Sequence, residues 1–146
     1  MTGRGRYAAA VPVRQRVLVL AFVLWTAFVW ANRISNTLRS DESTGAKTFS
    51  TVLSIVLLLF GLAVLIVTVR AWRRGLRDTG AGVLVAAGAV TVVVWVVRVP
   101  QILLADHTVG FKAVHVVLGL VSIALAVAVV RVGLAARRAL QPRPPI

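Results

Sequence analysis

WVVRVPQILLADHTVGFK (residues 95–112) closes a long apolar run: positions 79–97 carry no charge, and Arg98, Asp106, His107 and Lys112 then follow. A chain crossing a bilayer needs about 20 predominantly apolar residues, so the run has the length of a membrane span. Nearly the same sequence stands earlier, as WANRISNTLRSDESTGAK (30–47). How these two stretches are related decides the fold.

The chain has 146 residues, 59% hydrophobic and 14% charged, whereas a soluble domain is roughly half apolar and a quarter charged. Its apolar residues fall into four blocks, approximately 15–37, 49–70, 81–104 and 112–134. In lipid, backbone N–H and C=O groups must be satisfied within their own segment, so Val-, Leu- and Ala-rich blocks of this length are helices. The expected fold is all-α, a four-helix transmembrane bundle forming one membrane domain, with no stretch large enough for a separate soluble domain. Loop 38–48 is polar. RAWRRGLRDTGAG (70–82) reads as a turn with Gly75, Gly80 and Gly82 as breakers. The tail QPRPPI (141–146) is expected to be disordered.

A net charge of +13 suggests nucleic acid at first sight, but the bases lie between apolar blocks and form no single stripe. Arg4, Arg6, Arg14 and Arg16 precede the first block, and Arg70, Arg73, Arg74 and Arg77 separate the second from the third. Arg131, Arg137, Arg138 and Arg143 end the fourth. The other two connections hold five bases (Arg33, Arg39, Lys47, Arg98, Lys112), offset by Asp41, Glu42 and Asp106. Basic flanks stay in the cytoplasm, so both termini are expected there, in the cytoplasmic (plasma) membrane. The first block is bulky and lacks a small-residue cleavage site, so it is expected to be retained rather than cleaved as a signal peptide. There is no cysteine, which removes disulfide and thiol chemistry.

Shifting the chain by 65 residues aligns its halves without a gap. Trp30/Trp95, Arg33/Arg98, Leu38/Leu103, Asp41/Asp106, Gly45/Gly110 and Lys47/Lys112 are identical. Apolar matches carry little weight in such a chain; the rare residues decide, because both of its two Lys and two of its three Asp fall into register. Two tandem hairpins are expected, about 15–78 and 80–140, related by a pseudo-two-fold along the membrane normal. Both copies of the polar cluster would then lie at the extracytoplasmic face.

The second half, through its Trp-ended helix, Asp106, Phe111, the V-H-x-x-L pattern at Val114, His115 and Leu118, and Gly133, Leu134, Arg137 and Arg138, resembles small two-helix integral membrane proteins of actinobacteria. Their function is unassigned, so the resemblance implies architecture and no activity. The first half departs from it, with Ser50 where His115 stands.

Each Arg lies three residues after a Trp, on the same helix face. The pair reads either as an interfacial anchor, with Trp at headgroup depth and Arg snorkelling outward, or as guanidiniums holding an anion such as a lipid phosphate. Asp41 and Asp106 are placed to fold back onto Arg or Lys at the helix mouths. No nucleophile or paired-carboxylate arrangement points to an enzyme. Asp106, His107 and His115 supply at most three metal ligands, and haem would need facing histidines within the bundle, so no cofactor is expected. The faces Lys112–His115–Gly119–Ser122–Ala126 and Lys47–Ser50–Ser54–Leu57–Gly61 are small or polar and are expected inside the bundle. Candidate binding residues are Trp30, Arg33, Asp41, Lys47, Trp95, Arg98, Asp106, Lys112 and His115. They suit a non-enzymatic accessory membrane protein contacting lipid headgroups or a larger membrane complex, with a homo-oligomer as one possible form. The alternative is a small oligomeric channel or transporter for an anionic or small solute. An enzyme acting on lipid, with His107 or His115 as base, lacks a nucleophile.

Overall fold

In a computed structural model, which describes residues 12–41 and 43–141, four helices follow one another. They are α1 (Val13–Arg39), α2 (Thr44–Arg74), α3 (Asp78–Leu104) and α4 (Val109–Leu140). All four are long and apolar enough to cross a membrane. Helices of 27 to 32 residues rise roughly 40–48 Å, more than the hydrocarbon core of about 30 Å. Their ends therefore reach headgroup depth. The chain is an all-α, multi-pass integral membrane protein. The expected disordered tail, beyond Gln141, lies outside the described residues.

The helices run past the apolar blocks because their ends are set by caps. Ser43 and Thr108 are the N-caps of α2 and α4, and their hydroxyls accept from the N–H of Ala46 and Phe111, each at 3.4 Å. The turn between α2 and α3 is shorter than the 70–82 segment expected to form it. Only residues 75–77 are non-helical there, with Gly75 at φ 71° reversing the chain. Gly80 and Gly82 do not break the chain; both lie in α3. Gly80 is buried, and a Cβ there would stand 2.9 Å from Val67 Cγ1 and from Leu76 Cδ1. Its role is close approach.

Around the bundle, α1 packs on α2 and α4, and α3 packs on α4 and α2. The interior is built from the faces expected to fill it. Ser50, Ser54, Leu57 and Gly61 of α2 are buried, as are Gly119, Ser122 and Ala126 of α4. Lys47, Lys112 and His115, at the ends of those faces, are half-buried. The buried hydroxyls are satisfied locally: Ser54, Thr68, Thr91 and Ser122 each donate to the carbonyl four residues back, at 2.7 to 2.9 Å. Outward, Leu24, Val52, Leu59, Val93 and Leu120 are more than half exposed and face lipid.

Helix boundaries keep the 65-residue spacing of the sequence. α3 begins and ends 65 residues after α1, and α4 begins 65 residues after α2. The packing of the two hairpins nonetheless differs. Between α3 and α4, a Cβ on Gly88 would lie 2.7 Å from the Ala126 carbonyl oxygen, and one on Gly133 would lie 2.8 Å from that of Ala81. The corresponding positions in the first hairpin are Val23 and Thr68, and a Cβ on Gly61 there would sit 3.4 Å from the Thr26 methyl. The second hairpin is a backbone-to-backbone small-residue interface, and the first is held by larger side chains.

Candidate polar cluster at the inter-helix ends

Trp30 and Trp95 meet across the bundle with ring centroids 6.1 Å apart and planes at 49°, a tilted aromatic contact. Both are buried, at 5% and 4% exposure, and with Val29 and Leu57 they form a second core cluster. This corrects the expectation that they mark headgroup depth from the helix surface. Each lies on the inward face of its helix, where the partner Trp covers it. The Trp95 indole N–H is buried without a hydrogen-bond partner among the described residues.

Arg33 stands one turn further along α1, half-buried. Its Nε donates to Ser50 Oγ of α2 at 2.9 Å, and Ser50 Oγ also lies 3.2 Å from Thr37 Oγ1. Ser50 and Thr37 are buried, so this network ties α1 to α2 in a place of low dielectric. Arg98 is likewise half-buried and engaged in an interaction of its own. Its surroundings have no matching network, because Ile102 and His115 occupy the places equivalent to Thr37 and Ser50. His115 instead turns its Nδ1 to the Phe111 carbonyl at 2.8 Å. Its ring stacks on Phe111 at 4.0 Å, and Phe111 meets His107 at 4.4 Å, forming an aromatic ladder along the start of α4.

Among the described residues, Asp41 and Asp106 do not form the clamp expected of them. Asp41 and Asp106 are exposed, and among the described residues they make no ion pair with Arg33, Arg98, Lys47 or Lys112. Both carboxylates stand in solvent, where an ion pair would contribute little. An ion pair between described residues, Arg137 Nε to Asp78 Oδ1 at 3.5 Å, lies at the opposite end, with side chains 44% and 75% exposed. The structure thus brings together Trp30 with Trp95, and Arg33 with Ser50 and Thr37. It leaves Asp41, Asp106, Lys47 and Lys112 as separate charges at the same end of the bundle.

Two elements had no sequence expectation. One is the Trp25 Nε1 bond to Ser122 Oγ at 2.9 Å, which joins α1 to α4. The other is a cavity at the arginine-rich end, lined by Arg70, Arg73, Arg74 and Arg77. The i, i+3, i+4 spacing of Arg70, Arg73 and Arg74 is a signal that places three of them on one side of a helix, while the turn that adds Arg77 has no counterpart in the spacing. Among the described residues, no three of His, Asp and Glu come together to hold a metal ion. Comparison with protein-family models, with curated proteins and with solved structures finds no match in any of the three.

Proposed function

We propose that the protein is a non-enzymatic accessory component of the cytoplasmic membrane, made of two copies of one ancestral hairpin, whose polar end contacts anionic lipid headgroups or a larger membrane complex. The observation that supports this best is the Trp30–Trp95 contact, which holds the two W-x-x-R turns against one another across the bundle. Arg33 and Arg98 stand on the next turn of their helices, and in each copy an Asp and a Lys follow in sequence, Asp41 and Lys47 after the first and Asp106 and Lys112 after the second. A rigid aromatic contact beneath two arginines is a base on which a carboxylate or phosphate can be held. In this reading the termini and the arginine-rich turn are cytoplasmic, and the resemblance to two-helix actinobacterial membrane proteins reflects the ancestral unit.

A conduit has less support. The buried Ser54, Thr68, Thr91 and Ser122 hydroxyls are turned back onto their own helices, so they do not line a polar path.

The test is native mass spectrometry of the protein extracted gently from its own membrane, beside an Arg33→Leu/Arg98→Leu variant. A bound lipid or subunit carried by the wild type and lost from the variant supports recognition, and its mass names its class. If both forms emerge bare and equally stable, the arginines are anchors and the proposal fails.

A further inference from the structure

The arginine-rich end carries a feature that the polar-end reading does not use. Where α2 turns into α3, the chain forms an open cleft of about 710 Å³. Ala71 and Leu76, two of its lining residues, are buried, whereas Arg70, Arg73, Arg74 and Arg77 are exposed at its edge. Arg70, Arg73 and Arg74 share one side at the end of α2, and the short turn at Gly75 brings Arg77 to the same cleft.

No carboxylate lines the cleft, and none of the four guanidiniums has a hydrogen-bond or ion-pair partner among the described residues. Asp78, next in sequence, is turned to Arg137. The second half does not reproduce this set: positions 65 residues further on are Ala135, Arg138, Ala139 and Pro142. Four positive charges around a concave surface raise the local concentration of anions.

The rest of the lining distinguishes a lipid from a soluble anion. Val67 and Val83 bring apolar surface to the cleft, and Val69 continues it to a lipid-facing side that also carries Ile66, both about two-fifths exposed. Trp72, exposed on the same stretch, is the residue type that sits at headgroup depth. We infer that this cleft binds the phosphate headgroup of an anionic phospholipid from the adjoining leaflet, with an acyl chain laid against the valine surface. Basic pockets between membrane helices are suited to such headgroups. The site is at the opposite end of the bundle from Arg33 and Arg98 and stands independently of their role.

The full-length protein would be placed in nanodiscs of equal phosphatidylcholine and phosphatidylglycerol and released for native mass spectrometry. Wild type should retain phosphatidylglycerol over phosphatidylcholine by about tenfold or more, and Arg73→Gln and Arg77→Gln should each reduce that preference roughly fivefold. Val83→Trp fills the cleft without altering any charge and should abolish retention, whereas Arg138→Gln, outside the cleft, should leave it unchanged. Equal retention of the two lipids by wild type overturns the inference whatever the variants do. So does a Val83→Trp protein that keeps phosphatidylglycerol, which would assign the effect to diffuse charge. Displacement of the lipid by excess inorganic phosphate, with phosphate then bound to the detergent-solubilised protein, would mark a soluble-anion site and equally overturn it.

Discussion

Gly88→Ala tests how the second hairpin is held. The added Cβ would lie 2.6 Å from Val130 Cγ2 and 2.7 Å from the Ala126 carbonyl oxygen. The valine methyl can rotate away, but the carbonyl belongs to the backbone of α4. Taking that oxygen from 2.7 Å to an ordinary 3.4 Å requires about 0.7 Å of helix separation. Such a shift reaches every close contact along the seam, including Gly133 against Ala81 and Gly119 against Val99. Overpacking of this kind costs about 1–3 kcal/mol. Better helix propensity returns up to about 1 kcal/mol, which leaves a net loss of about 0–2 kcal/mol when it is returned in full. Unfolding of the purified protein by SDS in mixed micelles, followed by tryptophan fluorescence, would measure it. Gly61→Ala is the control, because the nearest neighbour of its new Cβ, the Thr26 methyl, is at 3.4 Å; it should be neutral or slightly stabilising. If Gly88→Ala and Gly61→Ala shift the transition equally, backbone contact is not what holds α3 against α4.

Ser50→Ala removes the acceptor for Arg33 and the partner of Thr37 in a buried place, and should destabilise by about 1–3 kcal/mol; an unchanged transition in the same assay would show that water substitutes there. Trp25→Phe deletes the donor to Ser122 and should lose about 0.6 kcal/mol, the usual worth of a hydrogen bond between membrane helices; a loss above about 2 kcal/mol would mean the indole contributes mainly by packing. Gly75→Ala places a side chain at φ 71° and ψ 161°, a region nearly confined to glycine, and should cost about 1–3 kcal/mol; no shift would show that the α2–α3 turn has another conformation open to it.

The class of fold is written in the hydropathy and charge of the sequence, because a bilayer leaves a long apolar segment almost no alternative to a helix. The inward faces were legible for a related reason: runs such as Ser50–Ser54–Leu57–Gly61 repeat at helical spacing, and in lipid small residues mark where backbones approach. Helix ends were less so. The apolar pattern of α2 stops near position 49, but Ser43 supplies a cap that carries the helix back to Thr44. Gly80 and Gly82 read as breakers because a glycine's conformation depends on what packs against it, and here Val67 and Leu76 require a residue without a side chain at position 80.

The candidate site was legible as composition more than as geometry. The rare residues mark both copies of the polar cluster, yet a Trp at the end of an apolar run looks the same whether it faces lipid or another Trp. Only the meeting of the α1 and α3 rings across the bundle separates the two. Asp41 and Asp106 were expected to pair because of their distance along the chain, and chain distance says nothing about the direction in which a connection leaves a helix. The arginine cleft depends on Gly75, whose reversal brings Arg77 to the cavity that Arg70, Arg73 and Arg74 of α2 also line; in the sequence all four are simply a basic flank.

Because the chain contains no cysteine, its arrangement across the bilayer can be read directly by single-cysteine labelling. Asp41→Cys, Asp106→Cys and Arg74→Cys would each be expressed in intact cells and exposed to a membrane-impermeant maleimide. All three positions are exposed. If two copies of one polar cluster share the outer face, the reagent should reach positions 41 and 106 equally from outside, and position 74 only after permeabilisation. Labelling of position 41 and position 106 from opposite sides, or of position 74 from outside, would contradict the account.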